Sequence, residues 1–206
     1  MGNRIVRSII PPKTKVAMLE YLFGDEGPKP YMSEEEVAKH LQYIQDKNVL
    51  ELGAGGSTLY FSPLAKSYTS LEGHLLWYGF IHYILTFHKY NYPNTKILYS
   101  PYDIKNSDAK IKHITYLAAV DQILGNNKFD IIILDCPASI RFICAQMAYD
   151  NTDSNALIFW HEYYHHVTPE IQDYVSIHYD VIDTAPGLQK YDPEGKGNLA
   201  IMRKKE

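Results

Sequence analysis

Cysteine is nearly absent: Cys136 and Cys144 are the only two in 206 residues. Two cysteines cannot staple a small secreted scaffold. Eight apart, on what reads as one helix and its lead-in, their α-carbons are expected to stand too far apart to bridge. That makes them free thiols of a reducing, cytoplasmic setting. Long apolar runs are missing too. No stretch approaches the roughly 18 apolar residues of a membrane span. The opening Met-Gly-Asn-Arg-Ile-Val-Arg has no apolar run of signal-peptide length, and its sixth residue, Val6, stands where a myristoylation site has Ser or Thr. A soluble protein with no membrane partner is expected. Positive charge is not in excess: 20 Lys and Arg against 24 Asp and Glu leave a formal charge of −4. A general phosphate-backbone binder needs a clustered excess of bases, so no nucleic-acid partner is expected. Repeats and low-complexity tracts are lacking as well. With 46% hydrophobic residues and only 11 prolines, the chain reads as an ordinary folded protein, a single domain over residues 1–206.

What is present is an alternation of helical and strand-like segments. Residues 13–22 read as a helix after Pro11-Pro12, and a breaker-rich loop follows from Gly24 to Pro30. Ser33 with Glu36 three residues later has the spacing of a capping box, and Val37, Leu41 and Ile44 supply an apolar stripe behind it. Strands are expected at 49–52, 67–72, 96–100, 129–134 and 156–160. Helices are expected from about 57, at 75–90, at 114–124 with Gly125 as the stop, at 138–150 and from Thr168-Pro169. Two closing strand-like runs, 179–184 and 198–202, have no helix between them. Strands alternating with helices predict an α/β fold, a doubly wound and mostly parallel sheet, and the last pair predicts a C-terminal antiparallel hairpin.

The run Asn48-Val-Leu-Glu-Leu-Gly-Ala-Gly-Gly-Ser-Thr58 carries the most information. A buried strand enters a glycine turn and then a helix. Gly53, Gly55 and Gly56 let backbone approach a ligand, and Ser57 and Thr58 fall where a helix begins with unpaired N–H groups. The P-loop Lys is missing, and Thr58 stands where a dinucleotide fingerprint has its third small residue. In an open parallel sheet ligands sit beyond the carboxyl ends of the strands. The residues leaving those ends are Glu51, Glu72, Tyr102-Asp103, Asp135 and His161-Glu162. Glu72 lies 19 residues past Gly53, about where this architecture places an acid on ribose hydroxyls. Glycine turn plus ribose acid imply an adenosine-type ligand.

These residues resemble the class I S-adenosylmethionine-dependent methyltransferases, over nearly the whole chain from Ser33 to Met202. The family's opening acid-x-Gly-x-Gly is matched by Glu51, Gly53 and Gly55, with Ser57 in place of the third glycine. Its sheet is seven-stranded, Rossmann-like, and ends in a reversed hairpin. Gly-Gly-Ser-Thr at 55–58, followed by Ser-Leu-Glu-Gly-His-Leu-Leu-Trp-Tyr at 70–78, is similar to a subgroup with Glu-His-Asp-x-x-Trp-Tyr. Here Gly73 holds the His slot and His74 the Asp slot. That subgroup occurs among glycan-synthesis enzymes and is similar to sugar O-methyltransferases of large algal viruses. The resemblance implies S-adenosylmethionine as methyl donor, Tyr102 or Asp103 near the adenine, and a small-molecule or glycan hydroxyl as acceptor. Residues 1–32 are expected as a helical extension over the cofactor mouth, with Tyr31 and Ser33 near the donor's methionine end.

Methyl transfer from a sulfonium asks the protein to hold donor and acceptor in line and to remove the acceptor's proton. His161 or Asp135 is the expected base, and Arg141 on the following helix could orient the acceptor. In the catechol-type branch carboxylates after the fourth and fifth strands hold magnesium. Asp135 and Glu162 are the corresponding pair here, although that branch's Asp-Asn pair is missing and no metal is the default. Tyr163, Tyr164, His165 and His166 could wall a sugar site. Two other readings compete: a non-catalytic S-adenosylmethionine-binding module, and a zinc hydrolase, since His161-Glu-Tyr-Tyr-His165 matches His-Glu-x-x-His. The zinc motif needs both histidines on one helical face, whereas this run directly follows a strand.

Overall fold

The computed structural model describes residues 27–87, 92–103, 112–188 and 198–205. The helix expected at 13–22 and most of the N-terminal extension lie outside the described residues. In chain order the elements are α1 (Glu34–Ile44), β1 (Asn48–Leu52), α2 (Gly56–Phe61), β2 (Ser67–Glu72), α3 (Leu75–Phe87), β3 (Thr95–Tyr99) and α4 (Ile114–Asn126). There follow β4 (Ile131–Leu134), α5 (Ala138–Asn151), β5 (Leu157–His161), α6 (Tyr163–His166), α7 (Pro169–His178), β6 (Tyr179–Ala185) and β7 (Leu199–Lys204). The strands form one seven-stranded sheet ordered β3-β2-β1-β4-β5-β7-β6. Pairs from β3 to β5 are parallel, and β7 runs antiparallel between β5 and β6. The doubly wound sheet and its terminal hairpin are thus as the alternation of segments predicts. Strand order reverses between β1 and β4, which opens a crevice beyond their carboxyl ends.

Period-two alternation decides which face each strand residue meets. Leu50, Leu52, Ile132, Leu134, Ile158 and Trp160 point into one core with α4, α5 and α7. Val49, Ile131, Ile133 and Phe159 point into the other, against Ile44 of α1 and Phe61 of α2. Glu51 shares the parity of the second set, so its carboxyl is directed under α2. Ser33 caps α1 as its spacing predicts: its hydroxyl accepts from the Glu36 N–H, and Glu36 accepts from the Ser33 N–H at 2.8 Å. No described helix is long and apolar enough to cross a membrane.

Three local expectations need correction. Gly125 does not end α4, which runs on to Asn126 because the side-chain amides of Asn126 and Asn127 donate to the Gln122 and Ile123 carbonyls of the last turn. β4 begins at Ile131, two residues later than expected, and the Asp130 carboxylate before it accepts from the backbone and side-chain N–H of Asn48. The cysteines are not held apart. Cys136 precedes the start of α5, so helical rise does not separate it from Cys144, and their sulfurs lie 3.8 Å apart as free, buried thiols.

Candidate functional site

The crevice is built around the β1 turn. Gly53 has φ +106°, and a side chain there would put Cβ 2.4 Å from the Asp135 carbonyl oxygen. Only glycine meets both demands, the left-handed backbone and the contact with the end of β4. The Gly53 N–H donates to Leu71 O and the Asp135 N–H to Leu52 O, each at 2.9 Å, which locks three strand ends together. Gly55 N–H donates to the Thr58 hydroxyl, which donates in turn to Glu51, and Ser57 Oγ donates to the same carboxylate at 2.5 Å. Glu51 is fully buried, and burial raises its pKa to about 7 against the pull of those two hydroxyls. It braces the turn from beneath; it is not a wall of the cavity. Thr58 is equally buried below the surface.

Above the turn lies a cavity of about 360 Å³ lined by Gly53 to Ser57, Glu72, Trp77 and Tyr102, with Asp135 and Arg141 on the far side. Glu72 accepts from the Ala54 N–H at 2.8 Å and the His74 N–H at 2.5 Å. Burial raises its pKa against these two backbone donors and a third from Gly73. The Tyr102 ring lies where a Cβ on Gly73 would be, at 2.2 Å from its Cζ, and tilts against Tyr116 at 5.2 Å. Gly73, in the His slot of the resembling subgroup, is therefore what admits this aromatic wall. Lys29, Tyr31 and Met32 close the cavity from the N-terminal side.

Asp135 is about two-fifths exposed into the cavity. Burial against the protein raises its pKa, and the charges of His161 and Arg141 oppose that rise. Arg141 is buried, not a helix-surface residue. Its Nε donates to Cys136 O at 2.6 Å and its Nη1 to His161 O at 2.8 Å. Nη1 also meets Glu162 Oε2 at 2.6 Å, and Nη2 lies 3.3 Å from Asp135 Oδ1. The place between the two carboxylates that a magnesium ion would take is occupied by this guanidinium. Among the described residues no group of three His, Cys, Asp or Glu is arranged to hold a metal.

His161 does not enter this cavity. Nδ1 lies 3.6 Å from Glu36 Oε1 and Nε2 lies 3.1 Å from His40 Nε2. Burial drives the His40 pKa down to about 3, so this ring is neutral, and its Nδ1–H donates to Glu36 O at 2.7 Å. His40 Nε2 is therefore an acceptor and His161 Nε2 carries a proton. With Nε2 protonated, Nδ1 suits the Glu36 carboxylate only when it too is protonated. Burial works to lower the His161 pKa, but the Glu36 hydrogen bond and charge raise it overall. Burial likewise works to raise that of Glu36, and His161 holds it below the usual carboxylate value. This buried ion pair fastens α1 to the end of β5, and it withdraws His161 from the role of base.

Several other site expectations are corrected. Ser33 does not line this cavity: its hydroxyl donates to Pro186 O at 2.6 Å and serves as the α1 cap. Asp103 does not line the cavity either, and its backbone N–H donates to Lys112 O. Glu162 faces a second cavity, and Arg141 holds its pKa down against the opposing effect of burial. The His-Glu-x-x-His run is broken structurally: His161 ends β5, Glu162 takes φ 55°, and His165 sits in the one-turn α6. Its histidines share no helical face, so the zinc-hydrolase reading fails on geometry. Sequence reasoning missed Trp77, Cys136, Glu36 and His40. Trp77 was legible in the Trp-Tyr pair at 77–78, whereas Glu36 and His40 read only as a cap and a helix residue.

No protein-family model matches the sequence, and no curated protein matches it. Solved structures do. A methyltransferase-like protein from Silicibacter pomeroyi is 21% identical, with 86% of this chain and 89% of that chain covered and a TM-score of 0.62. A putative O-methyltransferase from Klebsiella pneumoniae is 12% identical over 100% and 96% of the two chains, TM-score 0.61. MtNAS in complex with S-adenosylmethionine is 9% identical over 100% and 70%, TM-score 0.55. At these identities the likeness is one of fold. The chain has the seven-stranded, Rossmann-like methyltransferase fold with its antiparallel C-terminal hairpin.

Proposed function

We propose that the protein binds S-adenosylmethionine and moves its methyl group to a hydroxyl of a small molecule, a sugar or glycan. The observation that carries this reading is the cavity at the β1–β4 switch point, with a glycine turn, a ribose-distance acid and a free-edged carboxyl around it. The chain's residues fit such a donor. A Cβ on Gly55 would meet nothing within 4 Å, so the turn leaves open space at its crest. Glu72 stands in the cavity wall on the side of the ribose hydroxyls, and Tyr102 and Trp77 provide flat apolar walls for a base. When bound, the donor supplies a methyl group already activated on a sulfonium.

The acceptor's proton is the protein's concern. Asp135, reached by water and raised in pKa, is the group placed to accept it, and Arg141 keeps that carboxyl in one orientation. With the guanidinium standing between Asp135 and Glu162, the reaction needs no divalent ion to align its carboxylates. Calorimetric titration with S-adenosylhomocysteine tests the donor half, and a flat trace at millimolar ligand rejects it. Asp135→Asn tests the other half: kcat should fall about 100- to 10,000-fold with S-adenosylhomocysteine affinity unchanged. Wild-type turnover by this variant would remove Asp135 from the role of base.

A further inference from the structure

A second cavity, of about 420 Å³, adjoins the first and is lined by Tyr31, Glu36, Glu162, His165, Leu188 and Asn198. Its size lies in the range of roughly 300–1,000 Å³ found for small-molecule sites. Two contacts make it continuous with the donor cavity. Tyr31 lines both, and the Arg141–Glu162 ion pair joins a residue of one to a residue of the other at 2.6 Å. We infer that this second cavity seats the methyl acceptor and selects an uncharged or cationic hydroxyl compound over an anionic one. The inference rests on the donor reading above and adds to it the charge class of the acceptor.

The selection follows from which groups face inward. Among the described residues lining the cavity there is no Lys or Arg, while two are carboxylates. The groups that balance them are already engaged: Arg141 is spent on Glu162, Asp135 and two carbonyls, His161 is buried against Glu36 and His40, and His166 Nε2 lies 3.5 Å from Glu162 Oε2. A phosphate or uronate would therefore be stripped of water against two carboxylates, with His165 as the sole base among the described lining residues to receive it. Hydroxyls find the opposite. Glu36 Oε1 accepts from Asn198 Nδ2 at 2.8 Å, which fixes the amide and leaves its carbonyl oxygen to accept from an acceptor hydroxyl. Glu36, only 1% exposed, is thus a positioning residue for Asn198. The His165 imidazole and the Glu162 carboxylate complete a polar wall beside Tyr31, with Leu188 as its apolar patch.

The test uses a charge series on one scaffold: methyl glucoside, methyl glucosaminide, methyl glucuronide and glucose 1-phosphate, titrated at millimolar concentration into the protein with and without saturating S-adenosylhomocysteine. The neutral and amino sugars should bind at least about tenfold more tightly than the acidic pair. Asn198→Ala and His165→Ala should abolish that binding while leaving S-adenosylhomocysteine affinity intact. Leu188→Arg should reverse the order by bringing the glucuronide and phosphate in. Equal or tighter binding of the acidic sugars, no binding of any neutral or amino sugar, or sugar binding untouched by both alanine variants overturns the proposal. A flat S-adenosylhomocysteine trace with the sugar order preserved condemns the donor reading alone.

Discussion

Glu51 braces the glycine turn at a cost to stability that Glu51→Gln exposes. Buried without a cation, its carboxyl titrates at about 7 instead of its ordinary 4.5. Between those two pH values the folded chain keeps a proton that the unfolded chain has released. Stability is therefore lost as pH rises through that window, and the loss is complete above about 7. At 1.36 kcal/mol per pH unit it amounts to about 3 kcal/mol. Glutamine is neutral throughout and escapes this loss, but its NH2 replaces one of the two oxygens that accept from the Ser57 and Thr58 hydroxyls and cannot accept in its place. That forfeits about 1 kcal/mol at every pH. The variant should thus be less stable than wild type by about 1 kcal/mol near pH 4 and more stable by about 2 kcal/mol near pH 8.5. Urea unfolding of both proteins at the two pH values reads the difference directly, and every other titrating group cancels between them. A gap of the same sign and size at both values refutes a buried, high-pKa carboxyl.

Gly53→Ala should destabilise the fold by at least about 2 kcal/mol, since φ +106° is hostile to alanine and the Asp135 carbonyl that its methyl would strike is strand backbone. A wild-type thermal midpoint would refute the close approach. Gly73→Ala meets only the far end of the Tyr102 side chain, so stability should change little while S-adenosylhomocysteine affinity falls about tenfold as the ring is displaced. Unaltered affinity removes Tyr102 from the donor wall. The Glu36–His161 pair gives stability that falls off below 4.5 through the lowered carboxyl pKa, and above 6.5 through the raised imidazole pKa. His161→Gln should flatten the alkaline decline that begins above 6.5; an equal decline in both proteins discards the pair.

The period-two strands, the capping box at Ser33 and the glycine turn are local features, and local chemistry suffices to specify them. Ser67–Glu72 occurs as a strand with the bounds that its pattern implies, and the helix-free final pair closes the sheet as a hairpin. The cavity residues nearest the turn, Gly53 to Ser57 with Glu72, sit at strand ends that the pattern marks, and the parallel pairing of β1 with β2 brings them together. Tertiary structure decided everything that depends on two distant segments meeting. Arg141 became a buried clamp because α5 leads it back under the end of β5, 20 residues on. His161 was drawn out of the chemistry by His40, 121 residues away, and Cys136 was brought to Cys144 by a turn that no helical spacing describes. A sequence states which groups can ionise or donate. Which of them keep a partner, and so lose their freedom to act on a ligand, is settled only when the sheet brings the partners together.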